Sequence, residues 1–352
     1  MSDGFPAPGP QDRGPVRDWR APANQQSYPP AGPMPQIPML TAHKPGIVPL
    51  RPLALGDILD GAVKSVRFNP KAMVGLSALV LALFLIPSAA LAIVVTHVIS
   101  TSQGGGGSNA QGFIGVATPV IQFFTTTLAT AVLSGLLIHV VSQAVLGRKP
   151  DLRQTWQATR ARIPSLLILS ILSLLFLLLS LAVLIGPGVL LMVQSNVGVG
   201  VAVLFLGLLG FIAVSLFAST KISMAAPAIV LEGHGLRAGL QRSFALTRGA
   251  VFWRILGITL LAAVIAGFAG FLLGFPFSMI SLVVSGVAGP DSELGQVMVT
   301  FLSHLSALLT GAITTPFVAA VTGLLYIDRR MRLEALDVVL MREAQTNPPP
   351  PL

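Results

Sequence analysis

The 352-residue chain contains no cysteine, and charge is scarce. Without thiols there is no disulfide, no thiolate nucleophile and no Cys-ligated zinc or iron–sulfur centre. Only 10% of the residues are Asp, Glu, Lys or Arg, while 53% are hydrophobic. Ordinary soluble domains carry about 25% charged residues. A chain so poor in charge cannot cover a water-facing surface, so lipid is its solvent. Catalytic signatures are also missing. There is no GxxxxGK[ST] phosphate loop, no HExxH and no GxSxG elbow. Gly198-Val199-Gly200 opens like a dinucleotide fingerprint, but Val203 stands where the third glycine belongs. The five histidines, His43, His97, His139, His234 and His304, never fall at helix-turn spacing from one another, so no metal site is expected. No catalytic residue and no cofactor is expected either. No acidic residue falls securely inside an apolar run, which argues against a pump built on intramembrane carboxylates.

What is present is a series of long apolar runs. A helix crosses the hydrocarbon core in about 20 residues. Six runs reach that length: 72–99, 113–146, 164–185, 197–219, 251–280 and 297–327. Pro276 and Pro316 are expected bends. Gly186-Pro187-Gly188 reads as a turn, and the stretch 197–231 as a span with an extension interrupted near Pro227. Residues 1–50 hold twelve prolines among Gly, Gln and Ser and read as a disordered tail; residues 344–352 read as a second one. The long tail is either a solvated appendage or a docking segment for a proline-reading protein partner.

The net charge of +9 does not imply nucleic-acid binding, because the basic residues sit at span ends. Eight precede the first span, five lie between spans two and three, five between spans four and five, and four follow span six. The loops after spans one, three and five have none. The positive-inside rule then places both termini in the cytoplasm.

The charged segments share a plan. Leu55, Ile58, Leu59, Ala62, Val63 and Val66 recur at helical spacing, with Asp57, Asp60, Lys64 and Arg67 on the other face. Asp60 and Lys64 stand in the favourable order for an ion pair. Leu152, Trp156 and Ile163 mark a second such face, with Arg153, Arg160 and Arg162 around it; Leu236, Leu240 and Phe244 mark a third, with Arg237, Arg242 and Arg248. Arg67, Arg160 and Arg248 recur 93 and 88 residues apart. The expected fold is therefore an all-α integral membrane domain over 51–343. Its six transmembrane helices form three hairpin repeats, each preceded by a cytoplasmic amphipathic interfacial helix, and a fourth amphipathic segment, 329–342, closes it. The basic helices are either ordinary anchors or a collar that meets anionic phospholipid or an acidic partner. Among polar residues near or within the spans, His139, Gln143, Gln122 and His304 either face a cavity or bond between helices. Lys221 either snorkels to the headgroups or faces the bundle.

Several short motifs resemble a known family. They are Arg51-Pro52-Leu53 through Leu59-Asp60-Gly61-Ala62, then Asn69-Pro70; Ala226-Pro227-Ala228 with Leu231-Glu232; Arg242-Ser243 with Leu246-Thr247-Arg248-Gly249; and Tyr326-Ile327-Asp328-Arg329-Arg330-Met331-Arg332. Over residues 46–343 the chain resembles actinobacterial membrane proteins related to the glycerophosphodiester phosphodiesterase membrane domain. The resemblance implies a six-span fold in a bacterial cell membrane. It does not imply hydrolysis, because the catalytic barrel of the fused enzymes has no counterpart here. The expected function is a non-enzymatic scaffold or lipid-engaging module, with a permease for a lipid-like substrate as the alternative.

Overall fold

A computed structural model describes residues 46–49, 51–102, 108–194, 197–289 and 292–334. The proline-rich tail up to residue 45, the glycine run Gly104–Gly107, Asp291, and everything after Glu334, including Arg342 and the expected C-terminal tail, lie outside the described residues.

The described chain is helical: α1 (Leu55–Phe68), α2 (Leu76–Ser102), α3 (Ser108–Val145), α4 (Leu152–Thr159), α5 (Ile163–Val193), α6 (Val197–Ile222), α7 (Ala225–Leu231), α8 (Leu236–Leu246), α9 (Val251–Ala288) and α10 (Glu293–Glu334). Helices α2, α3, α5, α6, α9 and α10 supply six segments long and apolar enough to cross a membrane, which makes this a multi-pass helical membrane protein. Several exceed the roughly 20 residues that one crossing requires, so they tilt or run past the hydrocarbon.

Helices α3 and α10 form the centre, and α2 packs on both. The apolar window of α3 is 61% buried, against 17% for α5 and 6% for α6. The core runs through Leu81, Leu133, Leu137, Val141, Leu324 and Tyr326. Helices α5 and α6 lie against each other, as do α9 and α10. Outward faces of α5, α6 and α9 carry Leu179, Leu206, Phe268, Phe271 and Val287 in the open, a surface that water would not tolerate and lipid does.

Some sequence expectations need correction. Pro187 makes no turn: α5 runs through it to Val193. Gly188 after it and Gly207 on α6 are contact points instead. A Cβ on Gly188 would stand 2.6 Å from the Leu204 backbone nitrogen, and one on Gly207 would collide with the Leu184 carbonyl. Glycine there lets α5 and α6 close backbone to backbone. The 197–231 stretch is interrupted near Pro227 as expected: α6 ends at Ile222, and Pro227 sits inside the first turn of α7, where its missing N–H removes no helical bond. The expected fourth amphipathic segment does not begin at Arg329, because α10 continues unbroken to Glu334.

The helices before the odd-numbered spans are not equivalent. Helix α1 buries Ile58, Gly61 and Ala62 against the protein, chiefly α10. Helix α8 buries Gly239, Ser243 and Leu246. Helix α4 buries Thr155 and Thr159 and leaves Leu152 and Trp156 exposed, while α1 leaves Leu55 and Val63 and α8 leaves Phe244 exposed. Ile47 and Val48 also depart from the tail they were assigned to, since both are buried in the core.

The α5–α6 contact predicts a contrast. Gly207→Ala should lower the melting temperature in detergent, consistent with an overpacking cost of about 1–3 kcal/mol. Gly257→Ala, which meets open space, should leave it unchanged. Equal melting of both variants would contradict the packing described.

Candidate functional site

One end of the bundle gathers α1, α4, α7, α8 and the C-terminal part of α10, and with them most of the basic residues. Its centre is a backbone group. Leu53 donates its N–H to Asp328 Oδ1 at 2.7 Å. The Leu53 carbonyl accepts from Arg254 Nη2 at 3.0 Å and Arg332 Nη2 at 2.8 Å. The same two guanidiniums hold Asp328, through Arg254 Nη1 at 2.6 Å and Arg332 Nε at 2.9 Å. Asp328 is fully buried. A buried carboxylate is tolerated only when its charge and lone pairs are met, and here three donor atoms meet them, Arg332 Nε reaching both oxygens. Val48 packs below, against Gly61, where a Cβ would stand 2.5 Å from the valine methyl. The segment before α1 is thus strapped to α9 and α10.

A second network lies beside it. Glu232, at the end of α7, accepts from Arg242 Nε at 3.1 Å and from the Tyr326 hydroxyl, and Arg330 Nε stands 3.3 Å away. Arg242 and Arg330 both reach Glu334 as well. Burial works against the Arg242 charge, but its bonds to Glu334 and Glu232 outweigh this and raise its pKa above the usual arginine value. Arg329 Nε donates to the Leu246 carbonyl at 3.0 Å and so caps α8. The four motif stretches, far apart in sequence, therefore meet here, and much of what they do is structural.

The candidate residues separate. Lys64 pairs with Asp60 as its spacing predicts. Arg67, Arg153, Arg160, Arg237 and Arg248 are exposed. Arg162 lies against Gly233. Arg242 is held in the carboxylate network, the one member of the basic collar that is. Lys221 faces the protein: its Nζ donates to the Thr247 carbonyl at 3.0 Å and lies 5.3 and 5.6 Å from the Phe252 and Phe217 ring centroids. His304 is buried within the bundle. Its Nδ1 is 2.8 Å from the Thr300 carbonyl and its Nε2 is 3.1 Å from Ser88 Oγ, which ties α10 to α2. Gln122 similarly donates to the Ser303 carbonyl at 3.1 Å. His139 and Gln143, by contrast, share a cavity. Among the described residues, no group of three or more His, Asp or Glu side chains is placed to hold a metal ion.

A larger cavity lies elsewhere among the described residues. A cleft of about 630 Å³ opens between α3, α5, α6 and α10. Its walls are apolar with hydroxyls interspersed, among them Thr127, Thr130, Ser170, Ser173, Ser215 and Thr322. Most of these donate to carbonyls three or four residues back in their own helices. The buried Oγ of Ser215 has no partner. Sequence reading missed the cleft because Ser and Thr in apolar helices are ordinary residues; only their convergence from four helices singles them out. No family model, no curated protein and no solved structure matches this chain.

Removing the Asp328 charge leaves two arginines facing each other over the Leu53 carbonyl. Asp328→Asn should destabilise the protein by about 3–5 kcal/mol, as for other broken buried pairs, and should make the segment before α1 sensitive to trypsin. An unchanged melting temperature and digestion pattern would remove the clamp from its central role.

Proposed function

We propose that this chain is a non-enzymatic membrane protein that holds the apolar part of a lipid-like molecule in the cleft between the α5–α6 pair and the rest of the bundle. The supporting observation is the cleft itself: it opens within the membrane-spanning helices and offers a mostly apolar lining with dispersed hydroxyls. Acyl chains suit such walls. Ser215 Oγ, buried without a partner, suits an ester carbonyl, which accepts one hydrogen bond.

The setting is that of a bacterial cell membrane, as the resemblance of the motifs implies, with the basic end in the cytoplasm as the charge distribution requires. The three helix pairs form three repeats of one ancestral unit, on the recurrence of Arg67, Arg160 and Arg248. A permease for an amphiphile is the second reading. It is favoured by the loose seating of the α5–α6 pair, whose tight internal contact and breaks at Arg160–Arg162 and after Ile222 suit a unit that moves as a body.

Two measurements test these statements. The cysteine-free chain allows single cysteines to report topology without background. Arg153→Cys should resist a membrane-impermeant maleimide in intact cells, and Gly105→Cys should react; the reverse pattern would invert the orientation. For the cleft, Ala218→Trp should lower the number of phospholipids retained per protein in native mass spectrometry, whereas Leu206→Trp on the outer face should not. Equal retention in both would rule out the cleft as the lipid site.

A further inference from the structure

Among the described residues, the cleft between α3, α5, α6 and α10 has no charged side chain in its lining. An ion placed inside it would find no counter-charge, and burying that ion would cost far more than burying an alkyl chain. Hydroxyls are plentiful by contrast, and they divide into two kinds. Thr130, Ser134, Ser170, Ser173, Thr314 and Thr322 each donate to a carbonyl three or four residues back in the same helix. Their protons are engaged, but each oxygen keeps a lone pair and still accepts. Ser215 Oγ, on α6, is buried without a partner. The Thr315 hydroxyl, on α10, makes no hydrogen bond among the described residues. These two keep a proton to donate. The walls therefore present many acceptors and two donors, together with the apolar side chains of Phe123, Leu174, Phe176 and Leu177.

That balance selects among lipids. An alkyl chain alone leaves every hydroxyl unanswered. An ester carbonyl accepts but does not donate, so it meets Ser215 or Thr315 and none of the others. A free hydroxyl on the ligand donates to the oxygens whose own protons are engaged. A charged head would make the same bonds but would leave water without a counter-ion. The volume of about 630 Å³ lies within the range of roughly 300–1,000 Å³ that holds one molecule of drug size, so a single chain with a small head suits it. Resting on the reading of this cleft as a lipid site, we propose that its preferred occupant is an uncharged, single-chain ester lipid with free hydroxyls, of the acylglycerol kind. Its carbonyl accepts from Ser215 or Thr315, and its hydroxyls donate to those of the surrounding walls. A phospholipid can still lay a tail in the cleft with its charged head outside, but it forgoes these bonds.

The test uses the full chain, purified in dodecyl maltoside and stripped of lipid, and equilibrium binding of three radiolabelled oleoyl esters. Monooleoylglycerol has the ester and free hydroxyls, methyl oleate has the ester alone, and oleoyl lysophosphatidic acid adds a charged phosphate. Monooleoylglycerol should bind about tenfold or more tightly than either of the others, the scale of one or two added hydrogen bonds. Thr130→Val combined with Ser173→Ala and Thr322→Val removes acceptors without breaking a bond between helices. It should erase most of the preference over methyl oleate and leave methyl oleate binding unchanged. If that variant does not fold, Thr130→Val alone should shift the preference in the same direction. Ala218→Trp, which fills the cleft, should weaken all three esters. If it does so while methyl oleate or lysophosphatidic acid binds as well as monooleoylglycerol, the cleft still holds lipid but the proposed occupant is overturned. A preference that survives in the folded hydroxyl variants overturns it too. If Ala218→Trp weakens none of the three, the reading of the cleft fails and the proposal falls with it.

Discussion

The peptide group of Leu53 is the point on which the basic end of this protein depends. Its N–H and carbonyl are both taken up by side chains, Asp328 on one side and Arg254 and Arg332 on the other. Isolated, each of those charges would be costly to bury. Together the two guanidiniums neutralise Asp328 and share the surplus positive charge with solvent, and the backbone group that completes them belongs to a third segment. Helix α1 owes its position to this arrangement, because the strap that leads into it is anchored there. So does the pairing of α9 with α10, which the shared carboxylate reinforces where the helices leave the apolar layer.

Much of the architecture is legible in the residues. Apolar runs locate the six long helices, and the alternation of Lys and Arg separates the two ends. The amphipathic periods locate α1, α4 and α8, and Asp60 pairs with Lys64 as their spacing requires. What escapes is long-range. Glu232 and Asp328 are ordinary in their local windows, and only the fold brings Arg242, Arg330, Arg254 and Arg332 around them. Arg242 consequently reads as a group for lipid phosphate until its carboxylate partners are seen. Pro187 misleads for a different reason. Its usual meaning belongs to water-exposed chains, and in α5 the neighbouring Gly188 serves helix contact instead of a turn.

The bundle is unevenly cohesive. Around α3 and α10, bulky aliphatic side chains interlock and polar bridges such as Ser88 to His304 pin neighbouring helices. The α5–α6 pair is different. It is close-packed within itself through Gly188, Gly200 and Gly207 but shares little surface with the rest. The cleft follows from this contrast: a stiff two-helix unit leans on α3 and α9 without filling the space in front of α10. Close internal contact and sparse external contact are one choice of residue size expressed at two interfaces.

The strap has a consequence for how the molecule is made. Leu53 and Asp328 are 275 residues apart, and a ribosome adding about 5–20 residues each second leaves the first waiting for the second for about 14–55 s. During that interval five spans are already threaded, Arg254 has no counter-charge, and the strap has nothing to grip. The clamp therefore records completion: until α10 is made, five of the six long helices exist while the Leu53 N–H and the Arg254 guanidinium both lack Asp328.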